Sequence, residues 1–509
     1  MNDSPAQRVI YEALENSTDD LLISAVAGAG KTTTLVELIK RLKAHQSDVY
    51  LLAFNQHIAQ ELSQRLHPLR ASTLHALGRQ TLLGSLPQVT VDAYKYRKLA
   101  EQQLAKNKVN TADRHSLIDD LTDLVNYTRL TLTPYTDQAA LEALCKHYGL
   151  TNQRWLYALV DPIIAQAAQQ AIDRGLIDFT DMLWLPYQWQ SATVRKHWIF
   201  IDEAQDLCLL QHAFVERLRA PGGRVIWAGD EFQCIQGFAG SDTEGFERIR
   251  QQGARELPLN VSFRCPTSHV ALANRIVPAM RAAPNTGPGS VQYINEDELA
   301  EHVHNGDMVL CRRTAPLVEW AVRLIGSGLA ARISGHQEAT GELHQLLNQL
   351  SRQRTFTIDD FENSLERYRA SAEYKLQGRR DSDRRIQSLH DNLQALNSLY
   401  KEGDQLSDLS KRLDSLFADS SQVIILSTIH RAKGLECDKV FLLRPSLLPL
   451  RWENQQAWER EQEENIRYVA LTRARHTLTF LLEPPPRASI GSDDSNFQPR
   501  QRRRRRLLL

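Results

Sequence analysis

Short apolar runs alternate, in the first part of this chain, with stretches whose apolar residues recur every three or four positions. Leu21–Ala25 and Val49–Phe54 are predicted to be buried strands, and Thr32–Lys43 and His57–Leu66 helices. That alternation implies βαβ units and a parallel sheet. From about Tyr94 to Arg174 the strand pattern disappears, and Leu117, Leu121, Leu124 and Val125 sit at helical spacing. Strand signals return at His197–Asp202 and Arg224–Asp230. A second α/β stretch starts near Leu257 and includes Met308–Cys311. A charged helical segment interrupts it, with one apolar stripe at Ile386, Leu389, Leu393 and Leu396 and another at Leu406, Leu409, Leu413 and Leu416. Strands resume at Val423–Ser427, Lys439–Leu443 and Thr477–Leu482.

The expected architecture is therefore α/β, with two parallel-sheet domains, each interrupted by a helical insertion. The first domain is expected over 1–92 and 172–256, with its insertion at 93–171. The second is expected over 257–336 and 421–485, with a small insertion at 337–420 that should form a solvated helical subdomain. Residues 486–509 turn polar and end in the Arg502–Arg506 run and three leucines, and are expected to be a disordered basic tail.

The length, 509 residues, suits two to four domains. Lys+Arg and Asp+Glu both number 61, which excludes a strongly basic nucleic-acid-coating protein and leaves room for a local basic groove. No apolar run approaches the roughly 20 residues that span a bilayer. Met1–Pro5 has neither a basic nor an apolar signal region, so a cytoplasmic location without membrane attachment is expected. The six cysteines form no CxxC pair, which argues against zinc ribbons and iron–sulfur sites and for reduced structural thiols.

The first chemistry is a phosphate cradle. Ala25-Val26-Ala27-Gly28-Ala29-Gly30-Lys31-Thr32 follows a predicted strand and opens a predicted helix, the context a P-loop needs. Gly28 and Gly30 let backbone N–H groups wrap phosphates at a helix N-terminus. Lys31 would pair with the β- and γ-phosphates of a nucleotide, and the Thr32 hydroxyl would ligate Mg²⁺. The alternative is a glycine-rich turn before an ordinary helix. The second piece is Asp202-Glu203 at the tip of an apolar strand. Asp202 is placed to hold Mg²⁺, and Glu203 to orient and deprotonate an attacking water. A helix N-terminus enriched in acids is the plainer alternative.

Together with an ordered series of further motifs, these residues resemble the superfamily 1 helicases of the UvrD/Rep type over nearly the whole expected folded chain. Ser4-Pro5-Ala6-Gln7 looks like the Q motif, whose Gln7 would read adenine. Gly229-Asp230-Glu231-Phe232-Gln233 looks like motif III, with Gln233 sensing the γ-phosphate. Asn260-Val261-Ser262-Phe263-Arg264 is similar to motif IV, with Phe263 on adenine and Arg264 on the γ-phosphate. Thr428–Glu436 looks like motif V and Tyr468–Ala474 like motif VI, with Arg473 as arginine finger. The resemblance implies two RecA-like domains with ATP and Mg²⁺ between them. It assigns Ala27, Gly28, Ala29, Gly30, Lys31, Thr32, Thr33 and Glu436 to the nucleotide as well. Lys31, Thr32, Asp202 and Glu203 would come from the first domain, Arg264 and Arg473 from the second. For each arginine a surface ion pair is the plainer reading.

The same resemblance implies a nucleic-acid track. Phe54 and Asn55 stand in motif Ia, Thr73 and His75 in motif Ib, and His430 in motif V. Phe238, in Gln236-Gly237-Phe238-Ala239-Gly240, holds the place of a base-stacking aromatic. Core packing is the alternative for Phe54 and Phe238. Asp178-Phe179-Thr180-Asp181 looks like the short acidic motif before motif II. The chain departs from the family pattern at Gln236 and Ala239, where Tyr and Arg are usual, and at Thr33, where an arginine often packs on adenine; looser base selectivity follows. The second insertion is also short for the family, which puts duplex engagement in question.

The resemblance implies an ATP-dependent single-stranded DNA translocase or helicase moving 3′ to 5′, engaging single strands and single/double-strand junctions in a bacterial or phage-type cell, with DNA repair or replication as the family's settings. A translocase that strips bound proteins with little unwinding is the first alternative, and an ATP-switched nucleic-acid-binding scaffold the second. The Arg502–Arg506 run would bind DNA or a protein partner. No motif reads the 2′-OH, so the residues leave DNA against RNA open.

Overall fold

All strand pairs in the two main sheets run parallel. The structure, a computed structural model, describes residues 3–42, 46–109, 114–237, 240, 244–334, 336–353, 356–376, 382–416, 423–453 and 455–483. The expected tail, with Arg502–Arg506, and Phe238 lie outside them.

The first sheet contains β1 (Leu21–Ala25), β2 (Val49–Leu52), β3 (Lys196–Ile201), β4 (Arg219–Gly229) and β5 (Arg255–Leu259), in the order β2-β3-β4-β1-β5. Successive side chains point to opposite faces. Leu21, Ile23, Phe200 and Ile226 enter one core, and Leu22, Ile199, Ile201, Val225 and Trp227 another. Covering both faces is why these strands are near-continuous apolar runs.

The second sheet contains β6 (Ser290–Asn295), β7 (Met308–Cys311), β8 (Ala331–Ile333), β9 (Ile424–Thr428), β10 (Cys437–Leu442) and β11 (Ala474–Leu482), in the order β6-β11-β10-β7-β9-β8. The fold is thus α/β with two parallel sheets.

The expected break at 256/257 is corrected. It cuts β5, which pairs with β1 from Leu21↔Arg255 to Ala25↔Leu259. Beyond β5, Cys265, Val270, Ala273, Val277 and Met280 pack into the first core. Motif IV therefore packs with the first domain.

The two insertions differ. Between 95 and 174 the helices bury Tyr96, Leu99, Leu121, Leu124, Ile163 and their neighbours in a core of their own. A two-residue parallel ladder, Thr90–Val91 with Leu176–Ile177, closes its neck. A buried charge network reinforces it. Arg129 donates to both oxygens of Asp178 at 2.9 and 2.7 Å, and Lys95 meets Asp181 at 2.7 Å. In the second insertion, the helices His336–Ser351, Phe361–Leu376, Ser382–Leu399 and Leu406–Leu416 share one core with Val309, Ile333, Ile424 and Phe441. The expected solvated subdomain is instead fused to its sheet, because Leu393, Leu396, Leu409, Leu413 and Leu416 turn toward it. Among the described residues no helix is long and apolar enough to cross a membrane.

Candidate active site

β1 ends at Ala25, and the turn after it carries Gly28 at φ 72° and Gly30 at φ 81°. A Cβ on Gly28 would stand 2.5 Å from the Arg264 Cβ and 2.8 Å from Ser262 Oγ, so only glycine fits there. The helix Lys31–Arg41 starts at once, aiming its unpaired N–H groups at the turn. Ser4 caps the helix Pro5–Asn16, and Ser4 N donates to the Gln7 side-chain oxygen at 2.9 Å. The Gln7 Nε2 donates to Thr34 Oγ1 at 3.1 Å. Both ends of that amide are therefore held beside the P-loop helix. Ala27 and Ala29 are buried, and Thr33 is exposed.

The strand order puts β4 between β1 and β3, so the acidic pair after β3 faces the P-loop across the end of β4. Thr32 Oγ1 donates to Asp202 Oδ2 at 2.9 Å. Lys31 Nζ lies 2.6 Å from Glu203 Oε1 and 3.2 Å from Asp202 Oδ1. The hydroxyl and carboxylate are hard oxygen donors, which fit Mg²⁺. Glu203 has left-handed backbone, φ 58°, a strained conformation for a residue with a side chain and one that collects at functional sites. Burial pushes its carboxyl up, but Lys31 and then Lys433 outweigh burial and hold it at about 2. Burial pushes Asp202 up.

Asp230, at the end of β4, is the centre of the next layer. Its backbone N–H donates to Gln205 Oε1 at 3.0 Å, and its Oδ2 accepts from Gln233 Nε2 at 2.6 Å and from the Tyr468 hydroxyl at 3.2 Å. Gln205 in turn donates to Glu203. Burial pushes Asp230 up to about 6. Lys433 reaches across from the loop after β9. Its ammonium meets both oxygens of Asp206 and the Gln233 carbonyl, each at 2.6 Å.

Arg473 is 1% exposed and donates to the carbonyls of Val469 and Leu435 and, at 3.5 Å, to Gln233 Oε1. Among the described residues no carboxylate lies within ion-pair distance of it. The surface-ion-pair alternative thus falls away for Arg473. Burial, and then the neighbouring Arg264, pull its guanidinium down to about 10. Arg264 itself pairs with Glu436. Phe263 is half exposed, and its backbone N–H donates to the Gly28 carbonyl at 2.9 Å. Arg264 was expected from the second domain. It stands against the P-loop instead, because the segment after β5 folds back onto the first core.

Among the residues expected to meet nucleic acid, Ala53 N donates to the Ser72 carbonyl and Ser72 N to the Leu51 carbonyl, both at 2.9 Å, which brings the runs around Phe54 and Thr73 together beside β2. Asn55 and Thr73 cap the helices Gln56–Arg65 and Leu74–Leu83 through Ile58 N and Ala76 N. Phe54, His75 and His430 are half-buried. Burial pulls His75 down, with Asp178 opposing. His430 sits in the loop after β9, on the second sheet, apart from the other four.

Asp230, Lys433 and Tyr468 lie inside the motif runs, and Gln205 and Asp206 closely follow the acidic pair, yet the sequence assigns none of the five a task. Their signal was placement, polar residues within motif runs. Their partners lie up to 441 positions away.

Residues 6–253 match the UvrD/REP helicase N-terminal domain, and residues 424–481 the UvrD-like helicase C-terminal domain. DNA helicase II of Salmonella typhimurium is 26% identical over 52% of this chain and 39% of its own length. F-box DNA helicase protein 1 of Schizosaccharomyces pombe is 24% identical over 93% of this chain and 56% of its own. ATP-dependent DNA helicase UvrD2 of Mycobacterium bovis is 24% identical over 96% of this chain and 80% of its own. Against the first of these relatives the match spans well under half of the relative's length.

Proposed function

The chain belongs to the UvrD/Rep helicase family, and from that membership we propose that it is an ATP-driven motor on single-stranded DNA, moving 3′ to 5′. The carrying observation is Arg473, buried with no carboxylate partner among the described residues and set beside Arg264. Of these two neighbouring guanidiniums only Arg264 has a carboxylate partner among the described residues, Glu436, and the pair calls for an anion. The P-loop next to them supplies Lys31 and a helix N-terminus for the rest of a polyphosphate.

In this reading Lys31 exchanges Glu203 for the β- and γ-phosphates. Thr32 and Asp202 hold Mg²⁺, which neutralises charge on the phosphate oxygens. Glu203, released from Lys31, orients and deprotonates water, and Arg473 stabilises the charge that develops on the γ-phosphoryl group. Gln7 reads adenine, Phe263 stacks on it, and Gln233 reports the γ-phosphate. Phe54, Asn55, Thr73, His75, Phe238 and His430 line the strand path. Steady-state ATP hydrolysis, with and without single-stranded DNA, tests this, with matched RNA and duplex as controls. Strong stimulation by single strands that is absent in Lys31→Ala is expected. Hydrolysis indifferent to every nucleic acid overturns the motor.

One observation favours protein displacement over unwinding. The second insertion shares its core with the second sheet, so it offers no separate body to engage duplex. Displacement of a single-strand-binding protein should then outpace unwinding of a tailed duplex; the reverse order returns unwinding to first place.

A further inference from the structure

Three successive backbone carbonyls after β4, those of Gln233, Cys234 and Ile235, each accept a hydrogen bond from a side chain packed with the second sheet. The donors are Lys433 at 2.6 Å, Asn465 at 3.1 Å and Gln462. Two of the three come from the helix Ala457–Leu471. Its residues Trp458, Gln462, Asn465 and Tyr468 recur at helical spacing and so occupy one face. That face runs along the segment 230–237. Tyr468 meets Asp230, Asn465 meets Cys234, Gln462 meets Ile235, and the Trp458 ring lies against Gly237. A Cβ on Gly237 would come within 2.9 Å of Trp458 Cζ3.

Carbonyls in a segment outside the sheets need partners, and Cys234 and Ile235 are buried. Here those partners belong to the other half of the molecule. The helix ends at Leu471, two residues before Arg473, and begins beside Gly237, one residue before Phe238. At about 1.5 Å per residue its 15 residues run roughly 22 Å, from the nucleotide site to Gly237.

We propose that Gln462 and Asn465 are positioning residues that couple nucleotide state to the strand contact, by gripping the backbone of 234–235 so that this segment follows the second sheet when the two halves move. The inference rests on the motor reading above. It predicts that loosening the grip separates the two activities: hydrolysis continues, but single-stranded DNA no longer drives it.

The test uses the full chain with Gln462→Met, which keeps length and removes the donor at a half-buried site. Asn465→Leu is the second variant, and melting curves serve as the folding check. Hydrolysis without DNA should stay within about twofold of the parent, while stimulation by single-stranded DNA falls about tenfold or more and fewer nucleotides are travelled per ATP. Basal and stimulated rates falling in the same proportion, or stimulation unchanged in a folded Gln462→Met, overturns the coupling role. A parent chain that DNA does not stimulate overturns the motor reading and this inference with it. A stimulated parent with an equally stimulated variant overturns the inference alone.

Discussion

The hydroxyl of Tyr468 accepts a hydrogen bond from the backbone N–H of Ala27 at 2.8 Å and donates to Asp230 Oδ2 at 3.2 Å. Tyr468 rides on the helix Ala457–Leu471, yet its ring lies in the first core with Ile226 and Ala228. One hydroxyl therefore ties the P-loop to the end of β4 from the opposite half of the molecule. Tyr468→Phe keeps the ring, leaves the buried Ala27 N–H without its partner and takes one of several hydrogen bonds from the Asp230 carboxyl, at about 1–3 kcal/mol. Turnover of ATP should fall about tenfold, since roughly 1.4 kcal/mol is a factor of ten in rate. Unchanged turnover in a folded variant removes the bridge from the mechanism.

Lys31→Ala should abolish hydrolysis. Glu203→Gln should bind ATP as the parent does and lose turnover by about 10² or more, because the amide cannot take the proton of water. Nucleotide binding by fluorescence, next to phosphate release, separates the two. Full turnover in Glu203→Gln would move the base elsewhere.

Arg473→Ala should cost about 10³ in turnover, the scale of an arginine finger, with single-stranded DNA affinity nearly unchanged. Equal losses in hydrolysis and DNA affinity would point to a packing role.

Asp230 gives a pH signature. Its carboxyl is raised by burial from 3.8 to about 6, so the folded chain holds that proton more tightly than the unfolded one. The stability it contributes is complete below 3.8 and is lost as pH rises through 6. Between those values the parent should lose more thermal stability than Asp230→Asn. Parallel losses in melting curves across that window would refute the assignment.

At the neck of the first insertion, Arg129 is buried over the Tyr96 ring and between Asp178 and Asp181. Arg129→Ala leaves two buried carboxylates with one cation among the described residues, Lys95, and should destabilise the fold by about 3–5 kcal/mol. Denaturant unfolding measures it, and a change below 1 kcal/mol would be the contrary result.

Much of this was legible beforehand, for a local reason. A P-loop is a contiguous run whose backbone makes the site, and Asp202 and Glu203 are adjacent, so order along the chain already places them. Strands buried on both faces declare themselves as apolar runs, and β1, β3, β7 and β9 were found that way to within two residues at each end. The long strand β4 was found only in its second half, since Arg219–Gly223 carries two glycines and a proline.

What the residues settled by themselves was the α/β class, the phosphate cradle and the acidic pair facing it, because each depends on neighbours in the chain. Only the tertiary structure decided that Arg264 stands with the first core, that the second insertion merges with its sheet, and that Lys433, Asn465 and Gln462 hold the backbone after β4. Those contacts join positions 200 to 231 residues apart. No local propensity encodes them; they exist because buried carbonyls and charges must find partners wherever packing brings one within reach.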